Sequence, residues 1–110
     1  MLWIFATAYD YTANINAFPT LEALIEQLEA EFPDEDGLGA TLAERVSETL
    51  RHNHDFHDAR IRAVDPATGC QVAVDIDAVC ASADSAHARL ALHARVADDL
   101  AANGKALLFS

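Results

Sequence analysis

The sequence predicts an α+β domain in which an antiparallel sheet packs on helices in a ferredoxin-like βαββαβ arrangement, with an extra helix in the first crossover. Short apolar segments with a two-residue period alternate with longer segments of helical period. Two of the short segments are joined directly by a Pro-Ala-Thr-Gly turn. The length of 110 residues fits one domain over 1–110.

The first predicted element is a strand over Leu2–Tyr9. Its alternating positions are apolar on both sides, as in a strand that is covered on both faces, so we place it centrally in the sheet. The segment 11–19 is rich in Asn and Thr. It either extends this strand or forms a short hairpin, and the sequence leaves both possibilities open.

Two helices follow in the first crossover. Thr20 can cap the first helix, and Pro33 ends its pattern. After an acidic loop over 34–39, Thr41 and Glu44 form a capping box at the start of the second helix. The core-facing residues are predicted to be Leu21, Leu24, Ile25, Leu28 and Phe32 in the first helix and Leu42, Val46 and Leu50 in the second.

A β-hairpin is predicted over 59–65 and 70–77. A register that pairs apolar residues on one face also pairs opposite charges on the other. The expected pairs are Arg60 with Asp75, Ile61 with Val74 and Ala63 with Val72.

The last elements are a long helix and a short strand. Ser82 or Asp84 can cap the helix, which extends to Ala102, and Asn103-Gly104 is typical of a left-handed helix stop. The strand covers 106–109. His93 shares a helical stripe with Leu90, Ala97 and Leu100, which predicts a partly buried histidine.

Charge is distributed unevenly along the chain, whose net charge is −11. Residues 1–44 hold nine acids and no Lys or Arg, whereas residues 45–110 hold nine acids and seven bases. Such a chain repels nucleic acids and anionic membranes, so direct nucleic-acid binding is not expected and a partner with a positive surface is favoured. Acidity that serves solubility alone is the simpler alternative.

Other sequence features indicate a cytoplasmic protein. No apolar run approaches the ~18 residues of a membrane span. A signal peptide needs a basic start, and the first cation here is Arg45. Two cysteines, Cys70 and Cys80, are too few for a disulfide framework, so reduced thiols are expected.

The acidic first helix is the candidate partner-binding surface. Glu22, Glu26 and Glu29 share one helical face, and none has a basic residue at i+3 or i+4. Since like charges so spaced destabilise a helix by ~0.2–0.5 kcal/mol per pair, the pattern indicates selection for something other than stability. The candidate residues are Glu22, Glu26, Glu29, Glu31, Asp34, Glu35 and Asp36; the alternative is an ordinary solvated face.

From this surface we expect a non-enzymatic inhibitor or regulator that docks on a basic protein, most naturally a nucleic-acid-binding protein or complex. Carboxylates at this spacing could mimic the phosphates of a nucleic acid. Small size and acidity are also common in phage antagonists of host defence, such as anti-restriction and anti-CRISPR proteins, which is an analogy of size and charge only.

A histidine cluster supports a second hypothesis, a zinc site or a small metal-dependent hydrolase. The candidate ligands are His52, His54 and His57 with Asp55 or Asp58. On a continuing helix His54, His57 and Asp58 would share a face, whereas in an extended segment His52 and His54 would. The simpler interpretation is that the imidazoles cap the end of the second helix, so no metal cofactor is expected.

Two further features of the sequence bear on function. Asp75 and Asp77 would lie on one side of a strand, as in magnesium sites, but the chain has no phosphate-binding motif, and pairing of Asp75 with Arg60 explains the pattern. The third functional alternative is a structural module that forms a homodimer through an exposed sheet edge or face.

Overall fold

A computed structural model of the chain describes residues 1–9, 12–34, 37–52, 56–103 and 105–106. Its strands are β1 (Leu2–Tyr9), β2 (Ala13–Phe18), β3 (Phe56–Val64), β4 (Cys70–Val74) and β5 (Lys105–Ala106). Its helices are α1 (Leu21–Glu31), α2 (Leu42–His52), α3 (Ile76–Ala81) and α4 (Ala86–Asn103). The chain is therefore α+β, with an antiparallel sheet in the order β2-β1-β3-β4-β5.

The ferredoxin-like strand order is wrong. The segment 11–19, which the sequence predicts either to extend the first strand or to form a hairpin, contributes β2, and β2 forms a hairpin with β1. Because the hairpin reverses the chain before the helices, β3 returns beside β1 and antiparallel to it. In the ferredoxin-like order, the strand predicted over 70–77 would instead lie between the strands predicted over 2–9 and 59–65. Here it is β2 and β3 that run parallel, with β1 between them.

The two helices of the first crossover form as predicted. Thr20 Oγ1 accepts a hydrogen bond from Ala23 N at 3.1 Å, and Thr41 Oγ1 accepts one from Glu44 N at 3.2 Å. Each hydroxyl satisfies a backbone donor that the first helical turn leaves without a partner. Helix α1 ends where the amide of Phe32 donates to Leu28 O, directly before Pro33.

The β3–β4 register is confirmed at both apolar pairs, Ile61 with Val74 and Ala63 with Val72. Strand β4 nevertheless ends at Val74 rather than at residue 77. Asp75 caps α3 instead, because its Oδ1 accepts from Asp77 N at 3.1 Å. The predicted Arg60–Asp75 pair is therefore wrong, and Arg60 Nε lies 2.6 Å from Asp58 Oδ2.

The start of the last helix also differs from the prediction. Ser82 and Asp84 belong to a 3₁₀ turn, and Ser85 supplies the cap, since its Oγ accepts from Ala88 N at 3.2 Å. The fully buried residues of α4 are Leu92 and Val96, whereas Leu90 of the predicted stripe is exposed and Leu100 is half-buried against the core. His93 is exposed, contrary to the prediction. Gly104 and residues 107–110, where the helix stop and most of the last strand were expected, lie outside the described residues.

The helices pack on one face of the sheet. Alternate residues of the strands meet them in one core, to which the sheet contributes Trp3, Phe5, Ile61, Ala63 and Val72. The opposite side chains of β1, including Ile4 and Ala6, are half-buried. The prediction that β1 is covered on both faces is therefore wrong. In the described part of the chain, none of the helices is long and apolar enough to cross a membrane.

Candidate acidic docking surface

Helix α1 exposes the acidic face that the sequence predicts, but the tertiary structure supplies cations for part of it. The side chains of Glu22 and Glu29 are 65% and 46% exposed, and both have an arginine nearby. Glu26 lies between them and is exposed. Among the described residues no hydrogen bond or ion pair reaches Glu26, which makes it the carboxylate of this face with the most open surroundings.

Arg45 joins α1 to α2. Its Nη2 lies 2.7 Å from Glu29 Oε2, and its Nη1 donates to Phe32 O at 2.6 Å. Its Nε also donates to Thr41 O at 3.4 Å. The guanidinium forms hydrogen bonds both at the end of α1 and at the start of α2. It therefore fixes the angle between these two helices.

Arg89 of α4 reaches the other end of the acidic face. Its Nη1 donates to Ala83 O at 2.8 Å and to Ser82 O at 3.4 Å, while its Nε lies 3.7 Å from Glu22 Oε1. The latter distance is an ion pair without a hydrogen bond, and Nε itself is buried. The carboxylate of Glu22 therefore partly neutralises the charge of the half-buried Arg89, so Glu22 has a structural role in addition to its place on the acidic face.

The remaining candidate residues fall into two groups. Glu31 Oε2 accepts from Gln27 Nε2 at 3.2 Å, and Asp34 Oδ2 accepts from Gly39 N at 2.9 Å. Gly39 has a φ of 76°, a conformation that favours glycine, so this loop conformation depends on both residues. Glu35 and Asp36 lie outside the described residues, and their placement stays a prediction.

A cleft between the α1–α2 loop and α2 extends the acidic surface beyond the predicted residues. Its volume is about 410 Å³, and Asp34, Glu44 and Glu48 supply its carboxylates. From the sequence Glu44 is predicted only as part of a cap, and Glu48 is not among the candidate residues. Glu44 and Glu48 share one face of α2 at i, i+4 spacing, with Arg51 at i+3 from Glu48, and this spacing is a signal that could have identified them.

Two other residues give this cleft its character. Leu38 lies at its rim and is 84% exposed. Arg45, also in the lining, directs its guanidinium to Glu29 and to backbone carbonyls. The cleft thus combines three carboxylates with an exposed apolar side chain, which are the groups that a lysine or arginine side chain contacts through its charge and its methylenes.

The histidine cluster spans two elements. Helix α2 ends at His52 and β3 begins at Phe56, so His57 and Asp58 lie in a strand, and the arrangement on a continuing helix is wrong. His54 and Asp55 lie outside the described residues, as do the side chains of His52 and His57. No group of three possible ligands occurs among the described residues. The zinc site therefore stays a prediction.

A second cleft lies between β4, α3 and α4 and has a volume of about 550 Å³. Its charged lining residues are Asp75, Arg95, Asp98 and Asp99. Asp75 is committed to the cap of α3, and Asp77 is in that helix rather than beside it on a strand. The paired-carboxylate geometry of a magnesium site is therefore absent from these two described residues.

Cys80 lies close to the acidic surface but in the core. Burial, followed by the nearby carboxylates of Asp77 and Glu29, raises the pKa of its thiol to about 11. Since the thiolate is the reactive form, this cysteine is suited to packing and not to nucleophilic chemistry.

Comparison with known proteins gives no family for this chain. No protein-family model, curated protein or solved structure matches it.

Proposed function

We propose that this protein is a non-enzymatic acidic binding protein, an inhibitor or regulator that docks on the basic surface of a nucleic-acid-binding protein or complex. The observation that carries the proposal is the cleft beside α2, where Asp34, Glu44 and Glu48 surround a space next to the exposed Leu38. A cationic side chain of a partner fits such a space. Glu26 extends the same sign of charge along α1.

The ion pairs of α1 refine this proposal. Glu22 and Glu29 each face an arginine of this chain, so their carboxylates contribute less to the outward field than the sequence suggests. The docking surface accordingly centres on Glu26, Glu44 and Asp34. A nucleic-acid mimic of the anti-restriction or anti-CRISPR kind is the narrower form of the proposal, and it requires that nucleic acid and this protein compete for one site on the partner.

The test uses charge reversals that leave the two arginines with their partners. The double variant E26K/E44K changes exposed residues of the docking surface, and the control D84K/D98K makes the same change in net charge at exposed residues elsewhere. Each protein is immobilised and exposed to a nuclease-treated lysate of its source or host at low and high salt. Bound proteins are identified by mass spectrometry.

We expect the wild type and the control to capture the same basic nucleic-acid-binding protein, with less capture at high salt because the association is electrostatic. The E26K/E44K variant should lose that protein. DNA or RNA added to the captured complex should displace it if the mimic form holds. Equal capture by all three proteins, or none at low salt, would contradict the proposal and leave the acidity as a solubility feature.

A further inference from the structure

In the part of the chain that the structure describes, the edge strand β2 lacks the features that normally keep an exposed strand from pairing with another chain. Its six residues, Ala13–Phe18, contain no charge and no proline. The strand pairs with β1 over six consecutive residues without a bulge. Natural edge strands are usually protected by lysine, proline, a bulge or a covering element, so this edge is open to a further strand.

The sequence of β2 is symmetric about its centre. Ala13-Asn14-Ile15-Asn16-Ala17 has the same residues in both directions from Ile15. In a two-fold symmetric contact, residue i meets residue j and j meets i. An antiparallel pair of these strands centred on Ile15 would place Ile15 opposite Ile15 of the second copy and each asparagine opposite an asparagine. We propose that β2 is a homodimer interface, through which two copies join their sheets edge to edge.

The surroundings of Ile15 fit this contact. Ile15 is 73% exposed and lies opposite Ala6 of β1, so it continues the apolar row on the uncovered face of the sheet. Cross-strand pairing of two isoleucines would cover it. Pairing would also satisfy the backbone N–H and C=O groups that an edge leaves without a partner.

The charge distribution favours the β2 edge over other surfaces of the protein as the place where a second copy binds. Two copies that each carry −11 repel one another, and residues 11–21 form a segment without any charged residue. Glu22 and Glu29 are turned toward Arg89 of α4 and Arg45 of α2, whose helices pack on β4 and β3. The opposite side of α1 carries Gln27 and Glu31, whose side chains are hydrogen-bonded to each other.

The size of the contact sets the expected affinity. One six-residue strand pair is smaller than the ~1,200–2,000 Å² of a standard interface. We therefore expect a reversible dimer with a dissociation constant on the order of micromolar. Sedimentation velocity or light scattering of the full chain over a concentration series measures it.

The first variant places a charge on the symmetry axis. I15K puts two lysines opposite each other, and it should raise the dimer dissociation constant by about tenfold or more, since like charges across an interface are strongly unfavourable. The matched control is L90K, because Leu90 on α4 is 70% exposed and the change in net charge is the same. L90K should dimerise as the wild type does. A wild type that stays monomeric, or a dimer that I15K leaves unchanged, would overturn the proposal.

Disulfide trapping tests the register. In a C70S background, I15C should form an intermolecular disulfide, because directly opposite residues have Cα atoms ~4.5–5.5 Å apart. A13C alone should not, since its two copies would lie ~14 Å apart along the strands, but a mixture of A13C and A17C should. Equal trapping of I15C and A13C alone would overturn the symmetric pairing. None of these results depends on the acidic surface, so this inference and the proposed function can fail separately.

Discussion

Arg45 shows how one side chain changes the meaning of a sequence pattern. Along α1 the glutamates have no basic neighbour, but Arg45 is 16 positions further on than Glu29 and forms a bond of 2.7 Å with it. Arg89 of α4 likewise forms an ion pair with Glu22 of α1. A helical pattern reports only neighbours within a turn or two, so such ion pairs between helices stay invisible until the helices are packed.

Cys80 and Cys70 differ in environment, and their reactivity should differ with it. Cys80 is buried with a thiol pKa of about 11, whereas Cys70 is half-buried. At pH 8 the thiol of Cys80 is almost entirely protonated, and the thiolate is the reactive form. In native protein iodoacetamide should therefore modify Cys70 and leave Cys80 intact, as peptide mass spectrometry over a time course would show.

The denatured chain is the control for this prediction. In urea the two cysteines should react at similar rates, because the burial that raises the pKa of Cys80 is lost. The pKa shift also has a sign for stability: a raised thiol pKa favours the folded state below pH 9, and this contribution is lost as the pH rises toward 11. Equal modification of both cysteines in the native protein would contradict the buried environment of Cys80.

At the scale of elements, the most informative difference lies where β4 ends. The sequence predicts a strand through residue 77, because Asp75 and Asp77 continue its alternation. Asp75 instead caps α3, and Ile76–Ala81 becomes a short helix that buries Val79 and Cys80. An aspartate can either cap a helix or continue a strand, so the residue type does not distinguish the two. Packing of the six-residue helix against the core decides between them.

Removal of this cap should destabilise the protein. D75A is expected to lower the free energy of unfolding by about 0.5–2 kcal/mol, because Asp77 N loses its side-chain acceptor. D75N retains a capping oxygen and should lie close to the wild type. Urea unfolding followed by circular dichroism measures both variants.

An equal loss in D75A and D75N would show that the charge of Asp75 matters and not its role as a cap. No loss in either variant would contradict the cap itself. Thr20 and Thr41, the two caps that the sequence did predict, make the same type of bond. They were predictable because the apolar period that follows each of them is long and regular.

At the scale of the whole molecule, the two faces of the sheet differ in the residues that lie on them. Helices α1 and α2 and the loop between them carry the acidic surface, whereas the uncovered face of the sheet carries apolar side chains and arginines. Apolar residues of β1 lie there beside Arg62, which is exposed and opposite Ile4, and beside Arg60. This difference follows from a fold in which the helices of the described residues all lie on one face of the sheet.

The excess of carboxylates should make stability depend on salt. A chain with a net charge of −11 repels itself when compact, so NaCl at ~0.3 M should raise the Tm relative to ~0.01 M by screening this repulsion. The E26K/E44K variant is four units less negative and should show a smaller rise. Differential scanning calorimetry measures both, and a Tm that falls with salt would mean that ion pairs such as Arg45–Glu29 dominate over the repulsion.

The sequence by itself determined the local features. The apolar periods predicted β1, α1, α2 and the two apolar pairs of the β3–β4 hairpin, because local periodicity and capping act over a few residues. The acidic character of α1 and of the loop after it was likewise predictable from composition.

Only the tertiary structure decided the order of the strands, the exposed face of β1 and the cations of the acidic face. The β1–β2 hairpin was one of two open possibilities, and that choice alone moved β3 beside β1. Arg45, which joins α1 to α2, lines the cleft together with Asp34, Glu44 and Glu48. Such features depend on contacts between residues distant in sequence, whose energies have no signature in the spacing of neighbouring residues.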